Sequence, residues 1–174
     1  QQKFIVDPAG YVTELRYTAD AQLKEKRLYA TAATAAEITK QLASFNTSGV
    51  LASGESYTYD AAGRLKTVTD AEGNRTEHFY DKAGRKTATT RYANKVNNDA
   101  VVASTEDRTE HWRYDAQGRV IATVSAEGAV KRYVYDINGQ LSVLEEYATT
   151  VRGLKKDAVL QLPSGEKRIT AYGY

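Results

Sequence analysis

A six-residue motif, Tyr-Asp-x-x-Gly-Arg, recurs along this sequence and limits its fold more than any other feature. The copies are residues 59–64, 80–85, 114–119 and 135–140, the last with Gln140 in place of Arg. The Asp side chain can accept hydrogen bonds from backbone N–H groups of its own turn, and Gly at the fourth position of D-x-x-G adopts a positive φ without a Cβ clash. Each D-x-x-G stretch therefore predicts a type I hairpin turn closed by a glycine bulge.

The motif is part of a longer repeat. A first set of glycines is followed 55 residues later by a second set: Gly63, Gly73 and Gly84, then Gly118, Gly128 and Gly139. Tyrosines keep the same offset: Tyr59, Tyr80 and Tyr92, then Tyr114, Tyr135 and Tyr147. Six or seven residues separate successive glycine turns, which is a common strand length. The sequence thus predicts a mostly β fold, a ribbon of antiparallel β-hairpins in one segment, with units of about 1–56, 57–111 and 112–174.

The first unit is the most divergent. Gly10 lies 63 residues before Gly73, so the register continues, and Pro8 fits the second position of the turn. Ala21 stands where Gly84 would be, and we expect a wider turn at 19–22. The predicted turn residues are Asp7, Gly10, Asp60, Gly63, Gly73, Asp81, Gly84, Asp115, Gly118, Gly128, Asp136 and Gly139.

Three stretches do not repeat: residues 31–56, 94–111 and 149–171. In the first, Thr34 and Glu37 form a capping-box pattern, and Ile38 and Leu42 follow at helical spacing. This pattern predicts a short amphipathic helix over 35–44, lying on the sheet. We expect one helical turn after Asn98 and a short element before Pro163.

Residues 171–174 resemble the strand that precedes a turn, and the chain begins a few residues before Asp7. We therefore expect a segment of a longer array, truncated at both ends, with open sheet edges. Such edges carry unpaired N–H and C=O groups, so self-association is expected.

Composition excludes several classes of function. Net charge is only +2 and the charges are interspersed, so neither a nucleic-acid footprint nor a membrane-surface footprint is present. No stretch approaches the length of a membrane span, and the absence of cysteine excludes disulfides and thiolate chemistry. Leu, Ile, Val and Phe make up only about 19% of the chain, and thirteen tyrosines supply part of the remaining apolar surface.

These motifs resemble the RHS/YD-repeat family over well over half of the chain, most strongly in residues 59–92 and 114–147. The resemblance implies a β-hairpin ribbon that spirals into a hollow shell. In bacterial Rhs polymorphic toxins and in the B and C subunits of insecticidal Tc complexes, such a shell encloses a toxic C-terminal domain. In teneurins, a similar shell is part of an adhesion receptor. The lack of cysteine favours the bacterial branch.

Bacterial Rhs shells often end in an aspartyl autoprotease with a D-P-x-G-L-like motif, and residues 7–11 look similar. Here the motif has Tyr11 instead of an aliphatic residue and keeps the register of the other turns. We interpret it as a turn.

The candidate catalytic bases are His78 and His111, and both precede a repeat tyrosine within a predicted strand. His78 occupies the repeat position of Tyr133, and His111 that of Ser56, so neither position requires imidazole. Two histidines without cysteine or metal-ligand spacing predict no metal site, and no cofactor motif is present. We interpret both histidines as structural and the chain as not an enzyme.

The favoured hypothesis is a structural, non-catalytic shell segment of an exported protein, secreted or at the bacterial cell surface. Its partners would be the rest of the shell and an enclosed polypeptide. The alternative is a carbohydrate- or surface-binding adhesion repeat, with stacking platforms at Trp112, Tyr114, Tyr133 and Tyr135.

Overall fold

The computed structural model describes residues 1–40, 42–97, 99–151, 154 and 161–173, and these residues are mostly β-strand. The strands are β1 (Gln2–Val6), β2 (Tyr11–Tyr17), β3 (Leu23–Ala32), β4 (Leu51–Tyr59), β5 (Leu65–Asp70), β6 (Arg75–Tyr80), β7 (Lys86–Arg91), β8 (Arg108–Tyr114), β9 (Val120–Val124), β10 (Val130–Tyr135), β11 (Leu141–Tyr147) and β12 (Lys167–Ala171). One short helix, α1 (Ala35–Thr39), lies between β3 and β4. The predicted class, a mostly β antiparallel hairpin ribbon with a short helical insertion, is confirmed.

Two compact units divide the chain: Gln1–Arg75 with Lys95–Asp99, and Thr76–Asn94 with Ala100–Tyr174. Within each unit, strands that follow one another in the chain lie next to one another in the sheet and pair antiparallel. The register shifts at the last residue of β4, β6, β8 and β10, the tyrosine of each motif. These shifts are the bulges that a glycine-closed turn produces.

The first unit has a small core between its sheet and the first insertion. Val12, Tyr29 and Leu42 are buried together, and Phe45 meets the Tyr29 ring edge-to-face with centroids 5.0 Å apart. Glu14 is fully buried beside them, where its carboxylate accepts hydrogen bonds from the Tyr29 hydroxyl at 2.5 Å and from Arg16 Nε at 2.5 Å. The carboxylate is stable there because both hydrogen bonds favour its charged form.

The predicted helix over 35–44 is too long. The Thr34–Glu37 capping box forms as expected, but α1 ends at Thr39. Leu42 adopts a left-handed conformation with φ +60° and is buried in the core, whereas Ile38 stays 42% exposed. Burying Leu42 against Tyr29 is incompatible with another helical turn, so the core ends the helix early.

The turn at 18–22 is not wider than the others, and this expectation is wrong. Thr18 N donates to Gln22 O at 2.8 Å and Ala21 N to Thr18 O at 3.2 Å, which is the hydrogen-bond pattern of the Asp turns. Thr18 takes the place of Asp, and Ala21 takes the left-handed position with φ +59°. The flanking strands therefore impose the turn even where its glycine is missing.

The buried side chains of the second unit include a row that crosses its sheet. Across β7, β8, β9 and β10, four buried side chains are cross-strand partners in one row: Ala88, His111, Val124 and Val130. A histidine is thus buried in line with one alanine and two valines.

Residues 99–107 of the second insertion contain no helix, so the expected helical turn does not form in that stretch. Most of the third insertion, residues 152–153 and 155–160, lies outside the described residues, as does Asn98. In the described part of the chain, no helix is long and apolar enough to span a bilayer.

Candidate functional site

The Tyr-Asp-x-x-Gly-Arg turn is a closed hydrogen-bonded unit. In the copy at 60–64, Asp60 Oδ1 accepts from the backbone N–H groups of Ala62 at 2.9 Å and Arg64 at 3.0 Å, while Asp60 Oδ2 accepts from Arg64 Nε at 2.7 Å. Gly63 N donates to Asp60 O, and Gly63 has φ +77°. Hydrogen bonds from the backbone and side chain of Arg64 hold the pKa of Asp60 below its usual value. The Asp, Gly and Arg of the motif thus each have a role within the turn.

The other aspartate turns share this arrangement. Partial burial acts to raise the pKa values of Asp81 and Asp115, but hydrogen bonds from Arg85 and Arg119 lower them overall. Asp7 makes the same backbone contacts, accepting from Ala9 N and Tyr11 N at 2.9 Å each. All seven predicted turn glycines have positive φ: Gly10, Gly63, Gly73, Gly84, Gly118, Gly128 and Gly139.

Two turns have a first residue that the sequence analysis did not single out. Asp70 begins the turn closed by Gly73, and Ser125 begins the turn closed by Gly128. Asn74 N donates to Asp70 Oδ1 at 2.8 Å, and Ala129 N donates to Ser125 Oγ at 3.2 Å. The signal was present in the sequence, since each residue stands three positions before a repeat glycine.

The motif also joins one hairpin to the next through a contact that we call a latch. Arg85 Nη1 donates to Asp115 O at 2.8 Å, and its guanidinium lies 4.8 Å from the centroid of the Tyr114 ring. In return, the Tyr114 hydroxyl donates to Lys86 O at 2.8 Å. The arginine of one turn therefore contacts the following Tyr-Asp turn, and the tyrosine of that turn donates a hydrogen bond to the residue after the arginine.

The latch is repeated in both units. In the second unit, the Arg119 guanidinium lies 4.6 Å from the Tyr135 centroid, and the Tyr135 hydroxyl donates to Val120 O at 2.8 Å. In the first unit, Gln22 replaces the arginine and donates to Gly63 O, while the Tyr59 hydroxyl donates to Leu23 O, both at 2.9 Å. This second role of the arginine was not predicted, although its constant place after the turn glycine was a usable signal.

The other ends of the hairpins hold the insertions. Three turns, closed by Gly10, Gly73 and Gly128, have no tyrosine before their first residue. In each, the glycine carbonyl accepts a hydrogen bond from the backbone of an insertion at 2.8 Å, in three equivalent pairs: Gly10 O with Ala33 N, Gly73 O with Val96 N, and Gly128 O with Val151 N. These pairs keep the offsets of 63 and 55 residues seen in the sequence. Within each unit, the Tyr-Asp turns lie at one end of the strands and the insertions begin at the opposite end.

The sequence model of a family described as RHS Repeat matches residues 50–95 and 104–150, together more than half of the chain. The chain belongs to the RHS-repeat family. The sequence-based resemblance is confirmed, and the latches show what the tyrosine, aspartate and arginine of an RHS repeat do in this chain. No curated protein sequence matches the chain.

Solved structures show the same fold at low sequence identity. A TcdB2-TccC3-Cdc42 crystal structure matches 84% of this RHS-repeat chain with 15% identity and a TM-score of 0.54. A Photorhabdus luminescens Tc holotoxin pore matches 79% with 18% identity and a TM-score of 0.53. This chain covers only 8% and 6% of those chains, respectively.

The two histidines lie in different surroundings. His78 Nδ1 is 3.1 Å from the Thr89 hydroxyl, and burial, followed by nearby Lys86, lowers its pKa. His111 is 2% exposed, and its Nε2 has no hydrogen-bond partner among the described residues. Burial lowers the pKa of His111 and Arg113 lowers it further, while a hydrogen bond with the Leu154 backbone acts in the opposite direction. Among the described residues, no cluster of His, Asp and Glu could hold a metal ion.

The four candidate glycan platforms do not form one surface. Tyr114, Tyr133 and Tyr135 line one groove on the second unit, and Trp112 is not part of its lining. One face of the Tyr114 ring is covered by Arg85 and one face of the Tyr135 ring by Arg119, and both hydroxyls are used in latches. The Lys86 ammonium lies 5.1 Å from the Trp112 centroid. Tyr133 is the groove tyrosine without such a role.

Proposed function

We propose that this RHS-repeat chain is a wall segment of a larger exported shell that encloses a cargo polypeptide and acts by steric exclusion. The latch series carries the proposal. Each latch fixes one turn to another through the hydrogen bond of a tyrosine hydroxyl, and the Arg85 and Arg119 latches add an aromatic–guanidinium contact, so neighbouring hairpins resist separation. A wall must resist such separation if it is to keep solvent and proteases from a cargo.

The partners in this proposal are the remainder of the shell and the cargo. No catalytic role is proposed for this chain, because the repeated contacts are structural and the histidines are accounted for by their strand positions. Secretion or display on the bacterial surface follows from the resemblance to bacterial Rhs proteins. The kinship with Tc toxin structures supports the proposal at the level of fold.

The test uses the full-length parent protein. It is purified natively by size exclusion and then run under denaturing conditions. A separate C-terminal polypeptide that had co-purified, and that resists protease natively but not after denaturation, is expected. A C-terminal region digested equally fast in both states would exclude the shell role.

A matched variant tests the latches in the same protein. Replacing Tyr59, Tyr114 and Tyr135 by Phe removes three latch hydroxyls and keeps the rings. Faster protease access to the cargo is expected in this variant, whereas Tyr133→Phe should leave the digestion rate unchanged.

A second candidate, glycan adhesion, is favoured only by the grouping of Tyr114, Tyr133 and Tyr135 along one groove. Saturable hits on a glycan array that are lost in Trp112→Ala or Tyr133→Ala would support it. Enclosure of a cargo would then have to be shown separately, by the protease test on the parent protein.

A further inference from the structure

The fourth Tyr-Asp turn, residues 136–140 between β10 and β11, differs from the other three copies at two positions. Asn138 stands before the turn glycine, where the other copies have alanine or glutamine, and Gln140 stands in place of arginine. Asn138 and Gly139 form the only Asn-Gly pair in the sequence. Neither the wall role nor the latches account for this combination.

The aspartate of this turn makes fewer hydrogen bonds than its equivalents. In each of the three arginine turns, the carboxylate accepts from two backbone N–H groups and from the arginine Nε. In the described part of the chain, the Asp136 carboxylate accepts only from Gln140 N, at 2.8 Å. The bonds from the N–H before the glycine and from the arginine side chain are both missing. Because hydrogen bonds to a charged group are the stronger ones, the fourth turn should open more often than its copies.

The groups of an Asn-Gly pair that can react with each other are the asparagine side-chain amide and the glycine backbone nitrogen. Asn138 and Gly139 are both exposed, and no hydrogen bond among the described residues holds the Asn138 amide. Glycine has no Cβ to obstruct its nitrogen. Gly139 N donates to Asp136 O at 3.0 Å, as in the other turns, so this nitrogen is released only when the turn opens. Opening of the turn is therefore the step that permits reaction.

We propose that Asn138 is a site of spontaneous deamidation whose rate is set by the missing arginine at residue 140. The Gly139 nitrogen loses its proton to hydroxide and forms a bond to Asn138 Cγ. The bond between Cγ and the amide nitrogen breaks, and ammonia leaves with a proton taken from water, which regenerates hydroxide. Water then opens the five-membered imide at either carbonyl, giving aspartate or isoaspartate. One water is consumed and one ammonia released, with no oxidation or reduction.

Isoaspartate alters the turn, because the main chain then passes through the side-chain Cβ and Cγ of residue 138 and gains one carbon. The extra carbon displaces the two turn hydrogen bonds, Gly139 N to Asp136 O at 3.0 Å and Asp136 N to Gln140 O at 2.8 Å. Both products also add a negative charge near Asp136, in a turn that lacks its own arginine. The reacted chain therefore melts at a lower temperature. This inference goes beyond the wall role and does not require that the parent enclose a cargo.

The test incubates the whole chain at pH 8 and 37 °C and follows every asparagine by peptide mass spectrometry. Asn138 is expected to deamidate faster than any other asparagine of the chain, with isoaspartate among the products. Gln140→Arg should slow the reaction at Asn138 at least threefold, because it restores the arginine bond to the Asp136 carboxylate. In concentrated urea, where the turn is unfolded, the wild type and Gln140→Arg should react at equal rates.

Ala83→Asn is the matched variant, because it places an Asn-Gly pair in a turn that keeps all three carboxylate bonds. Residue 83 should then deamidate at least threefold more slowly than Asn138 in the same chain. Circular dichroism melting checks that the variants fold and that Asn138→Ala, unlike the wild type, keeps its melting temperature after incubation. Equal rates at the two positions, a rate unchanged by Gln140→Arg, or deamidation at Asn138 no faster than elsewhere would refute the proposal.

Discussion

At the scale of single residues, Ala21 holds a conformation that favours glycine. Its φ is +59°, and glycine occupies the equivalent turn position at Gly63, Gly84, Gly118 and Gly139. For residues with a Cβ, the left-handed region costs about 1–2 kcal/mol. The first unit therefore contains a strained turn that the surrounding strands maintain.

Ala21→Gly should stabilise the chain by about 1 kcal/mol and raise Tm by about 2–4 °C. Glycine relieves the left-handed strain. This gain in free energy exceeds the larger entropy cost of ordering a glycine on folding. Thermal melting by circular dichroism measures the effect. Ala62→Gly is the control, because Ala62 lies in an Asp turn but does not have positive φ, and it should not stabilise.

Two turn glycines should differ in how much they tolerate a methyl group. Gly118 and Gly128 have similar φ values of +85° and +90°, but a Cβ at Gly128 would lie 2.6 Å from Val151 O, whereas the nearest atom at Gly118 is Arg85 Nη1 at 4.0 Å. Gly118→Ala should cost about 1 kcal/mol from backbone strain alone. Gly128→Ala should cost at least twice as much and release the start of the third insertion, as measured by denaturant unfolding and hydrogen exchange at Val151. Equal losses would contradict the close approach.

At the scale of elements, the latch is the contact that joins hairpins at their Tyr-Asp turns. Tyr114→Phe removes the hydroxyl that donates to Lys86 O and leaves the ring beneath Arg85. We expect a loss of about 1 kcal/mol, the typical net contribution of one hydrogen bond. Tyr133→Phe is the matched control with no latch hydroxyl, and it should change the free energy of unfolding by less than half as much in urea unfolding.

The strand row Ala88–His111–Val124–Val130 makes stability depend on pH. The folded pKa of His111 is lowered from the usual value of about 6.5, so the unfolded chain binds the proton more readily. The stabilisation from neutral His111 is present above about pH 6.5 and decreases as pH falls below it. His78 also makes the folded chain less stable as pH falls, because its pKa is lowered as well.

Melting at pH 7.5 and pH 5.5 isolates this effect, since the chain has only two histidines. The wild type should melt at a lower temperature at pH 5.5. His111→Gln should reduce this difference more than His78→Gln, because His111 is the more deeply buried. A difference unaffected by His111→Gln would show that other groups cause the acid sensitivity.

At the scale of the whole molecule, two strands have a free edge among the described residues. β1 pairs with β2, and β12 pairs with β11, each on one side only. Ile5 on β1 and Ile169 on β12 are 56% and 57% exposed. Unpaired backbone groups beside apolar side chains favour pairing with another strand.

We expect the isolated chain to self-associate through these edges as its concentration rises. Light scattering after size exclusion should show species above the monomer mass. Ile5→Lys/Ile169→Lys should shift the chain towards monomer, because charge on an edge strand opposes pairing. Ile137→Lys places the same charge on an exposed turn and should not. A monomeric wild type at high concentration would rule out edge pairing.

The sequence determined the D-x-x-G turns, the hairpin repeat and the family, because D-x-x-G encodes its turn through local hydrogen bonds and one backbone conformation. The tertiary structure decided those features that depend on contacts between residues far apart in the chain. Packing of Leu42 on Tyr29 ended the helix at Thr39, and strand pairing imposed a left-handed conformation on Ala21. The Arg85–Tyr114 latch likewise joins residues far apart in the chain, which the pairing of β7 with β8 brings together.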